Sequence, residues 1–138
     1  MRNFKLLHTN KEASSQRQQH HHEMAEEKSI VILGSLNMDL VMVTPRIPAP
    51  GETMHGTSFA SHPGGKGLNQ AVAAQRLLPK EGWKTYMIGR VGNDEFSGKL
   101  RESLSSEGVD ISEVKTASGK ASGVALILVC LSYFMWAN

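Results

Sequence analysis

The sequence contains a single cysteine, Cys130, among its 138 residues. One thiol cannot form an internal disulfide or a cysteine-based metal cluster, so both are excluded. The chain also lacks any long block of like charges, and its formal net charge is only +2. A charge this small gives no reason to expect a nucleic-acid partner or an acidic membrane surface. The remaining composition, 40% apolar and 20% charged, is typical of a globular protein.

The start of the chain has neither hydrophobic periodicity nor the apolar core of a secretory signal peptide. Its polar run from Ser14 to His22 cannot bury enough apolar surface to offset the entropy lost on ordering. We therefore expect residues 1–28 to be a disordered extension and the protein to be cytoplasmic, with the nucleus as an alternative. A cleaved organelle-targeting segment remains possible for this extension, as does a natural start at Met24.

The end of the chain is its most continuous hydrophobic run. Val124 to Trp136 is interrupted only by Ser132. This run is shorter than the roughly 17 residues that a membrane-spanning helix needs. A membrane anchor is therefore not favoured, and we expect a strand that continues into a divergent apolar tail at residues 130–138. A membrane-associated remnant held by this tail is the alternative.

Between these flanking segments, residues 29–129 alternate between strand-like and helix-like patterns. The β-branched run at 30–33 is of the kind buried on both faces of a parallel sheet. Apolar residues on one helical face predict helices instead. The predicted strands are 30–33, 40–43, 53–60, 83–91 and 123–129, and the predicted helices run from Leu68 to Leu78 and from Phe96 to Leu104. This order predicts βαβ units and an α/β fold.

Neither glycine-rich segment has the spacing of a nucleotide-binding loop. A Walker A loop would need glycine at Ala60 and serine or threonine at Gly67. A Rossmann fingerprint after the first strand would need glycine at Leu36. Both motifs are therefore excluded at these positions.

Asn37 and Asp39 follow the first predicted strand. If the chain is extended there, both side chains project to the same side, because strand side chains alternate. They would lie just past the carboxyl end of a parallel strand, where open α/β sheets bind ligands. A carboxylate that accepts and an amide that both donates and accepts match adjacent hydroxyls of a sugar or polyol. Ordinary turn chemistry is the alternative for this Asn-x-Asp.

The second polar group stands where the chain enters its first predicted helix. Glycines such as Gly65 allow a polar ligand close to the backbone, and the first helical turn offers free N–H groups. Lys66 adds a positive charge, and Asn69 follows one turn into the helix. A glycine-rich turn with a solvated lysine is the alternative.

Together these two groups resemble the ribokinase branch of the PfkB carbohydrate kinases. The resemblance covers about a hundred residues in order and spacing. The matching segments are GSLNMD (34–39), PGET (50–53), GGKGLNQAVAA (64–74), GRVGND (89–94) with Gly98, and SGVALI (122–127).

The resemblance implies a sugar site and a small β-lid. The residues that would contact ribose are Asn37, Asp39, Gly65, Lys66 and Asn69. The lid would comprise segments 40–44, 53–60 and 124–129. In this family two lids commonly join to form a homodimer, which would protect their strand edges.

The family's activity is ATP-dependent phosphorylation of D-ribose to ribose 5-phosphate, with magnesium neutralising phosphate charge and potassium as a further ion. Its catalytic carboxylate belongs to a Gly-Ala-Gly-Asp motif, which this sequence lacks. We therefore expect the N-terminal part of a ribokinase-like three-layer fold, truncated after residue 129 and inactive alone. A sugar-binding or dimerising short form without catalysis is the alternative. Asp94 and Asp110 are expected to be turn or cap residues, so no catalytic residue or metal ligand is assigned.

Overall fold

The computed structural model describes residues 28–79 and 81–130, which form two three-stranded sheets and two helices. Most of the predicted N-terminal extension and of the divergent tail lies outside the described residues. Lys28 and Cys130, which the sequence assigns to those flanking segments, belong to the first and last strands. In chain order the elements are β1 (Lys28–Leu33), β2 (Asn37–Thr44), β3 (Ser58–Gly64), α1 (Lys66–Leu77), β4 (Trp83–Val91), α2 (Glu95–Ser105), β5 (Val114–Thr116) and β6 (Gly123–Cys130).

One sheet, the parallel sheet, has the strand order β1-β4-β5, and all its strands are parallel. Each parallel connection returns through a helix, so the predicted α/β fold class is confirmed. α1 packs on one face of β1 and β4. The buried core consists of Leu36, Met38, Leu68, Ala71, Met87, Val91, Leu100, Leu104, Val109 and Val114.

Both helices present the apolar face that the sequence predicts. Leu68 and Ala71 of α1 are buried, as are Leu100 and Leu104 of α2. α1 ends at Leu77, and the next residue, Leu78, is extended because the following proline disfavours helical backbone there. No helix in the described ranges is long and apolar enough to cross a membrane.

The expectation that the first strand is buried on both faces is wrong. Val31 is 57% exposed and Leu33 79% exposed, whereas Ile32 packs against the core from the opposite face. Within the described residues the helices cover only the Ile32 face of this sheet. The β-branched run therefore forms a parallel strand with one face covered and one face open.

The other sheet, the mixed sheet, has the order β3-β2-β6, with β2 antiparallel to β3 and parallel to β6. The predicted strand at 53–60 is displaced along the chain, because pairing with β2 begins at Ser58 and continues through Pro63 to Gly64. Proline is tolerated because β3 is an edge strand, whose outward N–H positions need no partner.

Residues 53–57 are held outside the strand by the loop that precedes them. The Arg46 guanidinium and the Ala49 N–H donate hydrogen bonds to the Glu52 carboxylate. The hydrogen bonds from Arg46 have the largest effect and the one from Ala49 the next largest, and together they lower the pKa of Glu52 to about 2. The chain joins β2 only where the Thr57 N–H donates to the Val43 carbonyl, at 2.8 Å.

β5 has no counterpart in the sequence prediction. It is only three residues long and pairs in parallel with the end of β4. Val114 is 3% exposed, and a bridge between Asp110 and Tyr86 holds the preceding chain beside β4. Such a short segment has no periodicity of its own, so its neighbour determines that it is a strand.

α1 begins in direct backbone contact with the connection after β1. A Cβ on Gly34 would lie 2.7 Å from the Cα of Gly67, and a Cβ on Gly67 would lie 2.6 Å from the carbonyl carbon of Gly34. Both neighbours are backbone atoms, so no rotamer change could relieve the overlap. Only glycine at both positions allows the helix to approach the sheet this closely.

We expect Gly67→Ala to destabilise the chain by about 1–3 kcal/mol, because the new methyl group meets backbone. Gly98→Ala in α2 is the matched control, since a Cβ there meets nothing within 4 Å. The control should stabilise by about 0.4–1 kcal/mol through the unfolded state. Urea unfolding measures both free energies, and equal shifts for the two variants would contradict the contact.

The exposed residues of β6 predict self-association of the isolated chain. Val124, Leu126 and Leu128 share one face and are 48%, 73% and 44% exposed. An apolar edge strand of this kind pairs or aggregates readily. Leu126→Lys should raise the monomer fraction in sedimentation velocity, whereas Leu77→Lys, at an 85% exposed helical position, should not. A soluble wild-type monomer with a sharp thermal transition would refute this expectation.

Candidate functional site

The candidate site begins where β1 ends and β2 starts. Asn37 and Asp39 both belong to β2 and alternate with Met38, so they share one face of the mixed sheet. Met38 is fully buried on the opposite face and anchors the strand. The two polar side chains are half-buried. The predicted same-side placement is confirmed, and both residues lie in a strand instead of a turn.

Glycines on the neighbouring strands provide the space for these two side chains. Asn37 is aligned with Gly64 of β3 and with Gly123 of β6. A Cβ on Gly123 would lie 2.2 Å from Asn37 Oδ1, and one on Gly64 would lie 2.3 Å from Asp39 Oδ2. Neither Gly123 nor Gly64 is among the residues that the sequence predicts to contact the sugar. Their signal is a glycine in a strand, which marks close approach by another group.

The start of α1 is docked beside this pair. Gly65 caps the helix with φ 94° and no side-chain hydrogen bond. A Cβ on Gly65 would lie 2.7 Å from the Ser35 carbonyl oxygen and 2.9 Å from the Asn37 nitrogen. The Leu68 N–H donates to the same Ser35 oxygen at 3.1 Å. The helix N-terminus, which attracts electronegative atoms, therefore adjoins the start of β2.

The other two predicted site residues lie on the first turns of α1, and both are exposed. Among the described residues, no ion pair joins the Lys66 ammonium to the Asp39 carboxylate. Asn69 borders a cleft of about 310 Å³ between α1 and α2, which Pro63, Val72 and Arg76 also line. The structure thus brings Gly65 to the backbone of Asn37 and places Asp39 on the same strand face as Asn37, whereas Asn69 lines the cleft between α1 and α2.

Four glycines of this region allow the chain to pack closely against itself. Gly34 and Gly67 are in contact with each other, while Gly64 and Gly123 lie against the Asp39 and Asn37 side chains. Their missing side chains thus accommodate atoms of the protein itself.

Asp94 and Asp110 are structural, as the sequence predicts. Asp94 caps α2 by accepting a hydrogen bond from the Ser97 N–H, and Asp110 accepts one from the Ser112 N–H. Hydrogen bonds from Ser122 lower the pKa of Asp94. Hydrogen bonds from Ser112, together with the Lys84 ammonium 2.9 Å away, lower the pKa of Asp110. Both carboxylates thus stabilise the turns in which they lie.

Residues 27–130 match the family model described as pfkB family carbohydrate kinase. The ribokinase of Schizosaccharomyces pombe is 46% identical over 103 residues, which cover 73% of this chain and 32% of that protein. The chain thus spans about a third of the length of the curated relatives it matches.

Solved structures agree with the family match. The ribokinase of Giardia lamblia superposes with a TM-score of 0.68 at 38% identity, covering 76% of this chain and 33% of that one. Arabidopsis thaliana ribokinase complexed with ribose and ATP superposes with a TM-score of 0.66 at 29% identity, covering 75% of this chain and 32% of that one. With the family model matched over both sheets and both helices, the chain belongs to the pfkB family of carbohydrate kinases.

Proposed function

We propose that this chain provides the acceptor-sugar site of a ribokinase, the enzyme that uses ATP to phosphorylate D-ribose to ribose 5-phosphate. One observation carries the proposal: Asn37 and Asp39 share a face of β2 beside the start of α1, in a space left open by Gly64 and Gly123. The named relatives are ribokinases, so a non-catalytic short form and a membrane-associated remnant are not favoured.

Each predicted residue has a distinct part in binding ribose. The Asp39 carboxylate accepts hydrogen bonds from two hydroxyls, and the Asn37 amide both donates and accepts. Gly65 lets the sugar approach the backbone at the helix start. Lys66 donates to a sugar oxygen from the rim, and Asn69 extends the polar edge along α1. The result is a site for a neutral polyol, with charge-assisted bonds centred on Asp39.

ATP is the proposed phosphoryl donor at the level of the family. No step of the transfer is assigned to the described residues. Magnesium and potassium are proposed on the same family basis. In the described part of the chain, no three His, Cys, Asp or Glu side chains come together to hold a metal ion. The part that we assign to these residues is sugar binding.

We also propose a homodimer that forms through the mixed sheet. The proposed location of the protein is the cytoplasm. The open edge and exposed apolar face of β6 support the dimer, because pairing with a second copy would cover both. No nucleic-acid partner is proposed, since the net charge is only +2.

Calorimetric titration of the whole chain with ribose tests the proposal, and Asp39→Asn sharpens the test. We expect wild-type binding to be detectable, and the substitution to weaken it by about 1–2 kcal/mol through loss of a charge-assisted hydrogen bond. The matched control is Glu113→Gln, since Glu113 pairs only with the exposed Lys115 at the surface. No heat of binding at millimolar ribose would contradict the proposed function. An unchanged affinity in Asp39→Asn would remove Asp39 from the site.

Gly64→Ala tests the same carboxylate without changing charge. The new methyl group would lie 2.3 Å from Asp39 Oδ2, a side-chain atom that can move aside, so the fold should survive. We expect ribose affinity to fall several-fold, because the carboxylate is turned from its hydroxyl partners. Circular dichroism checks the fold and calorimetry the affinity. Binding equal to that of the wild type would show that the Gly64 space is not part of the site.

A further inference from the structure

The Asp94 carboxylate joins two segments that are far apart in the sequence. Its Oδ2 accepts a hydrogen bond from the Ser122 N–H at 2.6 Å, and its Oδ1 accepts one from the Ser122 hydroxyl at 2.7 Å. Capping of α2 through Ser97 uses the same Oδ1 at 3.2 Å. The β4–α2 turn is thus bound to the residue that leads directly into β6.

Backbone contacts make this junction tight. The Ser122 hydroxyl accepts a hydrogen bond from the Gly92 N–H at 2.9 Å, and the Asn93 N–H donates to the Lys120 carbonyl at 2.9 Å. A Cβ on Gly92 would lie 2.2 Å from the Ser122 nitrogen. Ser122 is only 5% exposed. The position of Ser122 is therefore fixed by its side chain, its N–H and its steric surroundings.

The junction is one residue away from the candidate sugar site. Ser122 precedes Gly123, which is aligned with Asn37 in the β2–β6 pairing and adjoins the Asn37 amide oxygen. Any displacement of Ser122 would move Gly123 along or away from β2. The surface against which the Asn37 amide is oriented would then change.

We propose that Asp94 is a positioning residue for the sugar site, acting through Ser122 and Gly123 on the Asn37 amide. The ligand named here rests on the proposed function, whereas the effect on Asn37 does not. Asp94 acts through the hydrogen bonds that its two oxygens accept from Ser122 and Ser97, and no sugar contact is assigned to it.

Asp94→Asn separates this role from simple helix capping. Asparagine is as good an N-cap as aspartate, so α2 should keep its cap. It has only one acceptor oxygen, however, and its NH₂ group would face a donor of Ser122. The substitution therefore weakens the contact with Ser122 while it preserves the capping bond.

The test uses the whole chain, with two measurements on each variant: ribose affinity by calorimetry, and the Asn37 side-chain amide resonances by NMR, assigned from an Asn37→Ser sample. Asp110→Asn is the matched control, because Asp110 is also a turn carboxylate but contacts Ser112 and Lys84 instead of β6. We expect Asp94→Asn to weaken ribose binding about tenfold, as loss of one oriented hydrogen bond would. It should also shift the Asn37 resonances, while Asp110→Asn changes neither.

The outcomes separate the two proposals. If the wild type binds ribose and Asp94→Asn leaves both the affinity and the Asn37 resonances unchanged, the positioning role is refuted. Equal loss of affinity in Asp94→Asn and Asp110→Asn would also refute it, since general destabilisation would then suffice. If the wild type binds no ribose, the proposed function fails, and the Asn37 resonances alone decide whether Asp94 positions that side chain.

Ser122→Ala provides a second route if Asp94→Asn does not fold. It removes only the hydroxyl that lies between Asp94 and the Gly92 N–H. We expect the same direction of shift at the Asn37 amide, and an unshifted resonance in this variant would overturn the proposal.

Discussion

The contact between Gly34 and Gly67 determines how the two sheets and α1 are arranged. A Cβ on either residue would overlap the backbone of the other, so the helix start lies directly on the β1–β2 connection. This approach allows the Leu68 N–H to reach the Ser35 carbonyl and places Gly65 against the Asn37 nitrogen. The polar end of α1 and the polar start of β2 meet for this reason, and the candidate site exists only because they do.

β2 then connects that site to the remainder of the chain. It pairs with β3 on one side and with β6 on the other, and each neighbour contributes a glycine at the level of Asn37. The two half-buried polar side chains of β2 therefore fit between its neighbouring strands. Met38, between them, faces the core and is fully buried, which fixes the register of the strand.

The same architecture leaves apolar surface open among the described residues. Val31 and Leu33 of β1 and Leu126 of β6 are all more than half exposed. Exposure on this scale is unusual for a stable monomer, because water-facing apolar strands favour association. The chain spans about a third of the length of its curated relatives, and sugar recognition is the part of kinase chemistry that we propose for it.

The sequence by itself determined the elements with strong periodicity and the placement of two polar side chains on one strand face. Both helices, β4 and β6 follow from apolar spacing, and Asn37 and Asp39 share a face because strand side chains alternate. Only the tertiary structure decided the limits of β3, the existence of β5 and the open face of β1. Each of these depends on a partner strand or a covering helix that is distant in the sequence.

In the candidate site, too, some features follow from the sequence and others from the tertiary structure. The residue types of Asp39 and Lys66 indicated hydroxyl recognition, since hydrogen-bonding capacity belongs to the side chain alone. Gly123 and Asp94 acquired their roles only through pairing and hydrogen bonds across the fold. From the sequence alone, a glycine in a strand predicts a turn or a bulge. The atom that occupies the space of its missing Cβ is known only from the packing in the tertiary structure.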